Sequence, residues 1–158
     1  MTALRFNHVS ISASDVEESA RFFESVFGLR RLPAPRFSTP VIWFQIGEGQ
    51  LHVFEREGAA PQYHHLGIEV DDFETVYKRV EELGLFDDTW GNSVVELPSG
   101  EVQMYLRDPG GNLIEIDHPD IATLDRTVVT RVTKLASVIE QGPEACSATL
   151  FHRFKVGS

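Results

Sequence analysis

The stretch HHLGIEVDDFET (residues 64–75) restates the pattern of NHVSISASDVEE (residues 7–18). His65 falls on His8, Ile68 on Ile11 and Asp72 on Asp15, and positions 16 and 73 are both apolar. Each copy reads as a strand, an acidic turn and a helix. In DVEESARFFESVFGLR, Val16, Ala20, Phe23 and Phe27 recur at helical spacing, with Asp15 as the expected N-cap and Gly28 as the expected stop. In DFETVYKRVEELGLF the cap is Asp72, the stripe is Phe73, Val76, Val80 and Leu83, and the stop is Gly84. Downstream, VIWFQIGEGQLHVFE (41–55) and VQMYLRDPGGNLIEID (102–117) each read as strand, glycine turn, strand, an alignment that sets His52 on Glu115. A unit of about 60 residues seen twice is a duplicated module, because solenoids need at least ~3 repeats. The expected class is α+β, with modules over 4–56 and 62–118 and an extension over 119–158.

Strand alternation sorts the side chains by face. Val9 and Ile11 oppose His8 and Ser10, while Leu66, Ile68 and Val70 oppose His65, Gly67 and Glu69. Leu51 and Val53 flank His52, and Ile114 and Ile116 flank Glu115. The aliphatic sets suit a face covered by the two helices, with His64 at the edge of that face. His8, His52, His65 and Glu115 share the other. Imidazoles with a carboxylate suit a divalent Fe, Mn, Co, Ni or Zn ion, and the lack of thiolates disfavours a structural zinc site.

Composition excludes several classes of function. With 24 acidic against 14 basic residues the net charge is −10, which opposes binding to nucleic acid or an anionic membrane surface. The single cysteine, Cys146, permits no internal disulfide and no cysteine-rich metal site. The opening MTALRFNHVS lacks the basic and apolar regions of a secretory signal, and no apolar run approaches the ~20 residues of a membrane span. A soluble cytoplasmic protein is expected.

These residues identify a resemblance. Both halves resemble the βαβββ module of the vicinal oxygen chelate superfamily, which includes glyoxalase I, bleomycin-resistance proteins and type I extradiol dioxygenases. The resemblance covers about residues 4 to 118, and its most specific element is YLRDPGGNLIEI (105–116). It implies two tandem modules forming a curved open sheet around a cup, completed by one chain or by two chains of a dimer. It also implies one divalent metal ion chelated by vicinal oxygens of a small-molecule substrate. Carried onto this sequence, the metal ligands are His8, His65, Glu115 and, at the fourth place, His52. Glu115 and His52 are also candidates for proton transfer, and Tyr105 for acid–base catalysis or hydrogen bonding to substrate.

The glutathione-contacting arginine and asparagine set of glyoxalase I has no clear equivalent here. Nor does the extra histidine of the extradiol dioxygenase signature, which would fall in VVELPSGEVQM (94–104). Arg30, Arg31 and Arg36 lie in LRRLPAPRFSTP (29–40), read as a solvated proline-rich loop. In the extension, a start signal at Pro119-Asp120 and a stripe at Ile121, Leu124, Val128, Val132, Leu135 and Ile139 predict an amphipathic helix ending near Gly142. Such a stripe suits a homodimer contact. Cys146 and His152 lack any partner pattern and read as structural. The leading expectation is a glyoxalase-like lyase or isomerase. An Fe(II) dioxygenase using the 2-His-1-carboxylate set, and a drug-sequestering binding protein, are the alternatives.

Overall fold

The computed structural model describes residues 5–151, so His152 lies outside the described residues. They divide into two compact units. One ends at Leu66 and is joined by Leu106–Ile114; the other runs Gly67–Tyr105 and resumes at Glu115.

The first module folds as β1 (His8–Ala13), α1 (Val16–Phe27), β2 (Arg30–Leu32), β3 (Val41–Ile46) and β4 (Gly49–Glu55), with sheet order β1-β4-β3-β2. β1 runs parallel to β4, and the other neighbours are antiparallel. Asp15 caps α1 by accepting from the backbone N–H groups of Glu17 and Glu18, both at 2.9 Å. Gly28 ends it at φ 65°, a left-handed conformation that a Cβ would strain. The buried face of α1 brings Phe23 onto Phe44 of β3, ring centroids 5.8 Å apart, above Leu51 and Val53 of β4. α1 packs over β3 and β4 and leaves the edge strand β1 partly bare. Val9, expected beneath the helix, is therefore exposed.

The segment read as a loop around Arg30 and Arg31 contributes β2. Arg31 turns toward α1, where its guanidinium meets Glu24 at 2.7 Å and Glu17 at 3.0 Å. These two partners raise its already high pKa. Arg31 is thereby a structural residue that ties the sheet edge to the helix. Arg36 is exposed between β2 and β3.

The second module repeats the order as β5 (His65–Glu69), α2 (Phe73–Glu82), β6 (Val94–Glu96), β7 (Val102–Arg107) and β8 (Leu113–His118). Its sheet has the order β5-β8-β7-β6-β9, where β9 is Val132–Lys134. Asp72 caps α2 through Thr75 N at 2.9 Å, and Gly84 follows its end at φ 64°. Phe73, Val76, Tyr77 and Val80 form its buried stripe. β5 begins at His65, so His64 precedes the strand and is exposed instead of lying at the edge of a helix-covered face.

The amphipathic helix expected over 120–141 does not form. Residues 121–123 make a single 3-10 turn, Asp125 then accepts from Thr127 N and Oγ1, and Val132–Lys134 pair with β6 in parallel. Only Leu135–Val138 are α-helical (α3). The reason lies in composition: six of the seven residues 127–133 are β-branched, a bias toward extended backbone. Asp125 adds a local turn that competes with helix. Val129 is fully buried and Tyr77 Oη meets Thr130 Oγ1 at 3.4 Å, which fixes this run beside α2. Among the described residues, no helix is long and apolar enough to cross a membrane.

Candidate metal centre

The first sheet presents one half of the expected donor set. Cross-strand partners share a face, and the register aligns Trp43, His52 and Ser10 in one row and Gln45, Gln50 and His8 in the next. The imidazole of His52 lies between two rings: Trp43 at 4.1 Å and 6°, and His8 at 4.4 Å and 15°. His52 is buried and its Nε2 is 2.9 Å from Gln50 Oε1. Burial, and secondarily the neighbouring His8, lower its pKa, which favours the neutral imidazole that a metal requires. His8 is exposed, with Nδ1 2.9 Å from Asn7 Oδ1. The indole N–H of Trp43 is buried with no hydrogen-bond partner.

On the second sheet, Glu115 of β8 is buried and accepts from Gln103 Nε2 at 2.7 Å. Tyr105 Oη donates to Gln103 Oε1 at 3.2 Å. Burial first, and then Glu115, push the Tyr105 phenol well above its usual range, so it serves as a hydrogen donor and not as a base. Asp117 lies two residues past Glu115 on the same face and is also buried. Burial and the charge of Glu115 push its carboxyl up to about 8. Its Oδ1 is buried without a partner. Gly67 of β5 belongs to this face, because a Cβ there would stand 3.0 Å from Asp117 Oδ2. Alternation within β5 then sets His65 on the side of Gly67. His65 Nδ1 is 3.0 Å from Tyr63 O, and both His64 and His65 line a cavity of about 310 Å³ beside β1.

The turn before β8 explains the most specific motif. Asn112 donates to Ser12 O at 2.8 Å and to both oxygens of Asp108, at 3.1 and 2.9 Å. A Cβ on Gly110 would come within 2.7 Å of Ser12 O, so only glycine permits this approach of the turn to the end of β1. Burial raises the pKa of Asp108, opposed by its bonds to Asn112. The motif thus anchors the start of the strand that carries Glu115.

The donor types fit a borderline divalent ion. The buried carboxyl pair on β8 has an unpartnered oxygen that a cation would satisfy, and the imidazole of His52 is itself of a donor type that such an ion accepts. Among the described residues, no three His, Cys, Asp or Glu side chains are grouped so as to hold an ion. Trp43, Gln103 and Asp117 join these clusters without being among the residues that the repeat and the resemblance single out. Asp117 was accessible by alternation from Glu115, whereas Trp43 and Gln103 required the strand register.

The glyoxalase/bleomycin resistance protein/dioxygenase superfamily model matches residues 5–116. The protein Glyoxylase I 4 of Arabidopsis thaliana is 26% identical over 125 residues, 72% of this chain and 70% of that one. Among solved structures, the oxidase ChaP-H2 superposes with a TM-score of 0.62 at 29% identity, covering 76% of this chain and 98% of its own. The fosfomycin resistance protein FosX of Listeria monocytogenes, complexed with Mn(II) and a dihydroxypropylphosphonic acid, reaches 0.60 at 12% identity over 77% and 96% of the two chains. With the βαβββ order repeated on two open sheets and the family model spanning most of its length, the chain belongs to the glyoxalase/bleomycin resistance protein/dioxygenase superfamily.

Proposed function

We propose that this protein is a metal-dependent lyase or isomerase of glyoxalase type, acting on a small molecule with two neighbouring oxygens. The observation that carries the proposal is the hydrogen-bonded set of Glu115, Gln103 and Tyr105 beside Asp117, with Glu115, Tyr105 and Asp117 buried. Proton transfer next to a carbonyl needs a positioned acid and base in a site of restricted water. In this reading His8, His52, His65 and Glu115 hold the ion, drawn from one chain or from two. The ion, when bound, supplies Lewis-acid stabilisation of the developing oxyanion. Glu115 Oε1, already paired with Gln103, accepts and returns the proton, and Tyr105 donates a hydrogen bond to a substrate oxygen.

A second reading has its own support. His52 is sandwiched between two rings with Nε2 engaged by Gln50. That leaves His8, His65 and Glu115 as a 2-His-1-carboxylate set, the donor pattern of Fe(II) oxygenases. The likeness to an enzyme named an oxidase points the same way.

Anaerobic loading of metal-free protein with Mn(II), Fe(II), Co(II), Ni(II) or Zn(II), followed by metal analysis, tests the shared premise. Glu115→Gln is expected to lower metal content sharply and leave the circular dichroism spectrum unchanged. Each loaded form is then assayed on α-hydroxycarbonyl compounds and on catechols with an oxygen electrode. Turnover without oxygen uptake supports the lyase or isomerase, and oxygen uptake on catechols selects the second reading. Wild-type protein that takes up none of the five ions overturns both.

A further inference from the structure

We propose that the segment after the family-matched region builds an apolar pocket that receives a planar, uncharged ring of the substrate. β9 attaches this segment to the free edge of β6, pairing Val94 with Val132 and Glu96 with Lys134. Further on, the buried carboxylate of Glu101 accepts from Thr149 Oγ1 and Leu150 N, so the segment is tied down at both ends. Between the ties, Leu135, Val138 and Ile139 face Trp90 and Leu97 around a cavity of about 270 Å³.

Three features define the occupant. Val138, Ile139 and Trp90 are each about half exposed yet gather around one cavity, where an apolar guest would cover them. The side chains around the cavity include no charged residue, which disfavours a phosphate or an ammonium group. Its volume falls just under that of ordinary ligand pockets, which start at roughly 300 Å³, and suits one or two fused rings. The remaining wall contains Gln103 and Tyr105, the same side chains that are hydrogen-bonded in the Glu115 cluster. A ring seated here would present its oxygens toward that cluster. The inference rests on the proposed chelation of vicinal oxygens only for this polar end of the substrate.

Two probes that differ by one fused ring test it: catechol and naphthalene-2,3-diol, titrated calorimetrically into metal-free protein under nitrogen. The larger diol is expected to bind about tenfold more tightly, the effect of burying about half of the added ring. Val138→Asp, at an exposed wall position, and Trp90→Ala are each expected to erase most of that preference while leaving the circular dichroism spectrum and Mn(II) content unchanged. Equal binding of the two diols to wild type overturns the proposal, as does an undiminished preference in both variants. Protein that takes up no Mn(II) but keeps the preference overturns the metal reading and supports the pocket.

Discussion

Replacing Asp117 with asparagine is expected to stabilise the metal-free protein at pH 8 far more than at pH 5. The residue is 8% exposed, so solvent screens it little, and burial together with Glu115 moves its carboxyl from the ordinary carboxylate range to about 8. Between those values the folded chain keeps a proton that the unfolded chain has released. Folded-state affinity for protons is thus the higher, and stability falls as pH rises through the window until the loss is complete above about 8. Each pH unit in the window contributes at most about 1.4 kcal/mol, which sets a ceiling of about 4 kcal/mol between pH 5 and pH 8. Relaxation and residual polarity around the ionised carboxylate, as for buried sites with an effective dielectric constant well above that of dry protein, bring the expected figure down to about 2 kcal/mol. Asp117→Asn keeps the shape and removes the ionisation, so the advantage of the variant should widen by that amount across the window. Any constant cost of the amide cancels in the comparison. Urea unfolding followed by tryptophan fluorescence at pH 5, 6, 7 and 8, in the presence of a chelator, measures it. Parallel stability profiles for the two proteins would refute the reasoning.

His52→Ala separates the two enzymatic readings: reduced metal content under identical loading supports a four-ligand lyase or isomerase. Full Fe(II) content with turnover slowed by about 10²–10⁴-fold supports a dioxygenase with His52 as acid or base. His65→Ala should abolish metal-dependent turnover, whereas His64→Ala, at an exposed site ahead of β5, should shift stability by no more than about 0.5 kcal/mol and leave metal content intact. Asn112→Ala should cost about 2–3 kcal/mol in a urea melt, because it removes the side-chain donor to the Ser12 carbonyl and to the buried Asp108, which keeps only backbone donors such as residue 112 N–H.

The site and the tail differ in how much of each was legible in the sequence. Faces within a strand follow from alternation alone, so His8, His52 and Glu115 were assignable from the repeat, and the caps at Asp15 and Asp72 followed from residue type at a helix start. Pairings between strands depend on register, which no single strand carries. The stacking of Trp43 on His52 and the bond from Gln103 to Glu115 therefore emerge only once β3 lies against β4 and β7 against β8. The tail shows the stronger form of the same dependence. Its apolar residues fit a helical stripe, and its β-branched residues fit a strand, so the local signals conflict. What decides between them is the edge of β6, whose backbone groups need partners and lie nearly forty residues earlier in the chain. A helix would have hidden the stripe and left that edge open. Extension instead completes the sheet, buries Val129 against the module, and delivers Leu135, Val138 and Ile139 to the cavity that holds Tyr105. The choice of strand over helix, made by an edge remote in sequence, is thus also what gives this face of the second sheet its apolar wall.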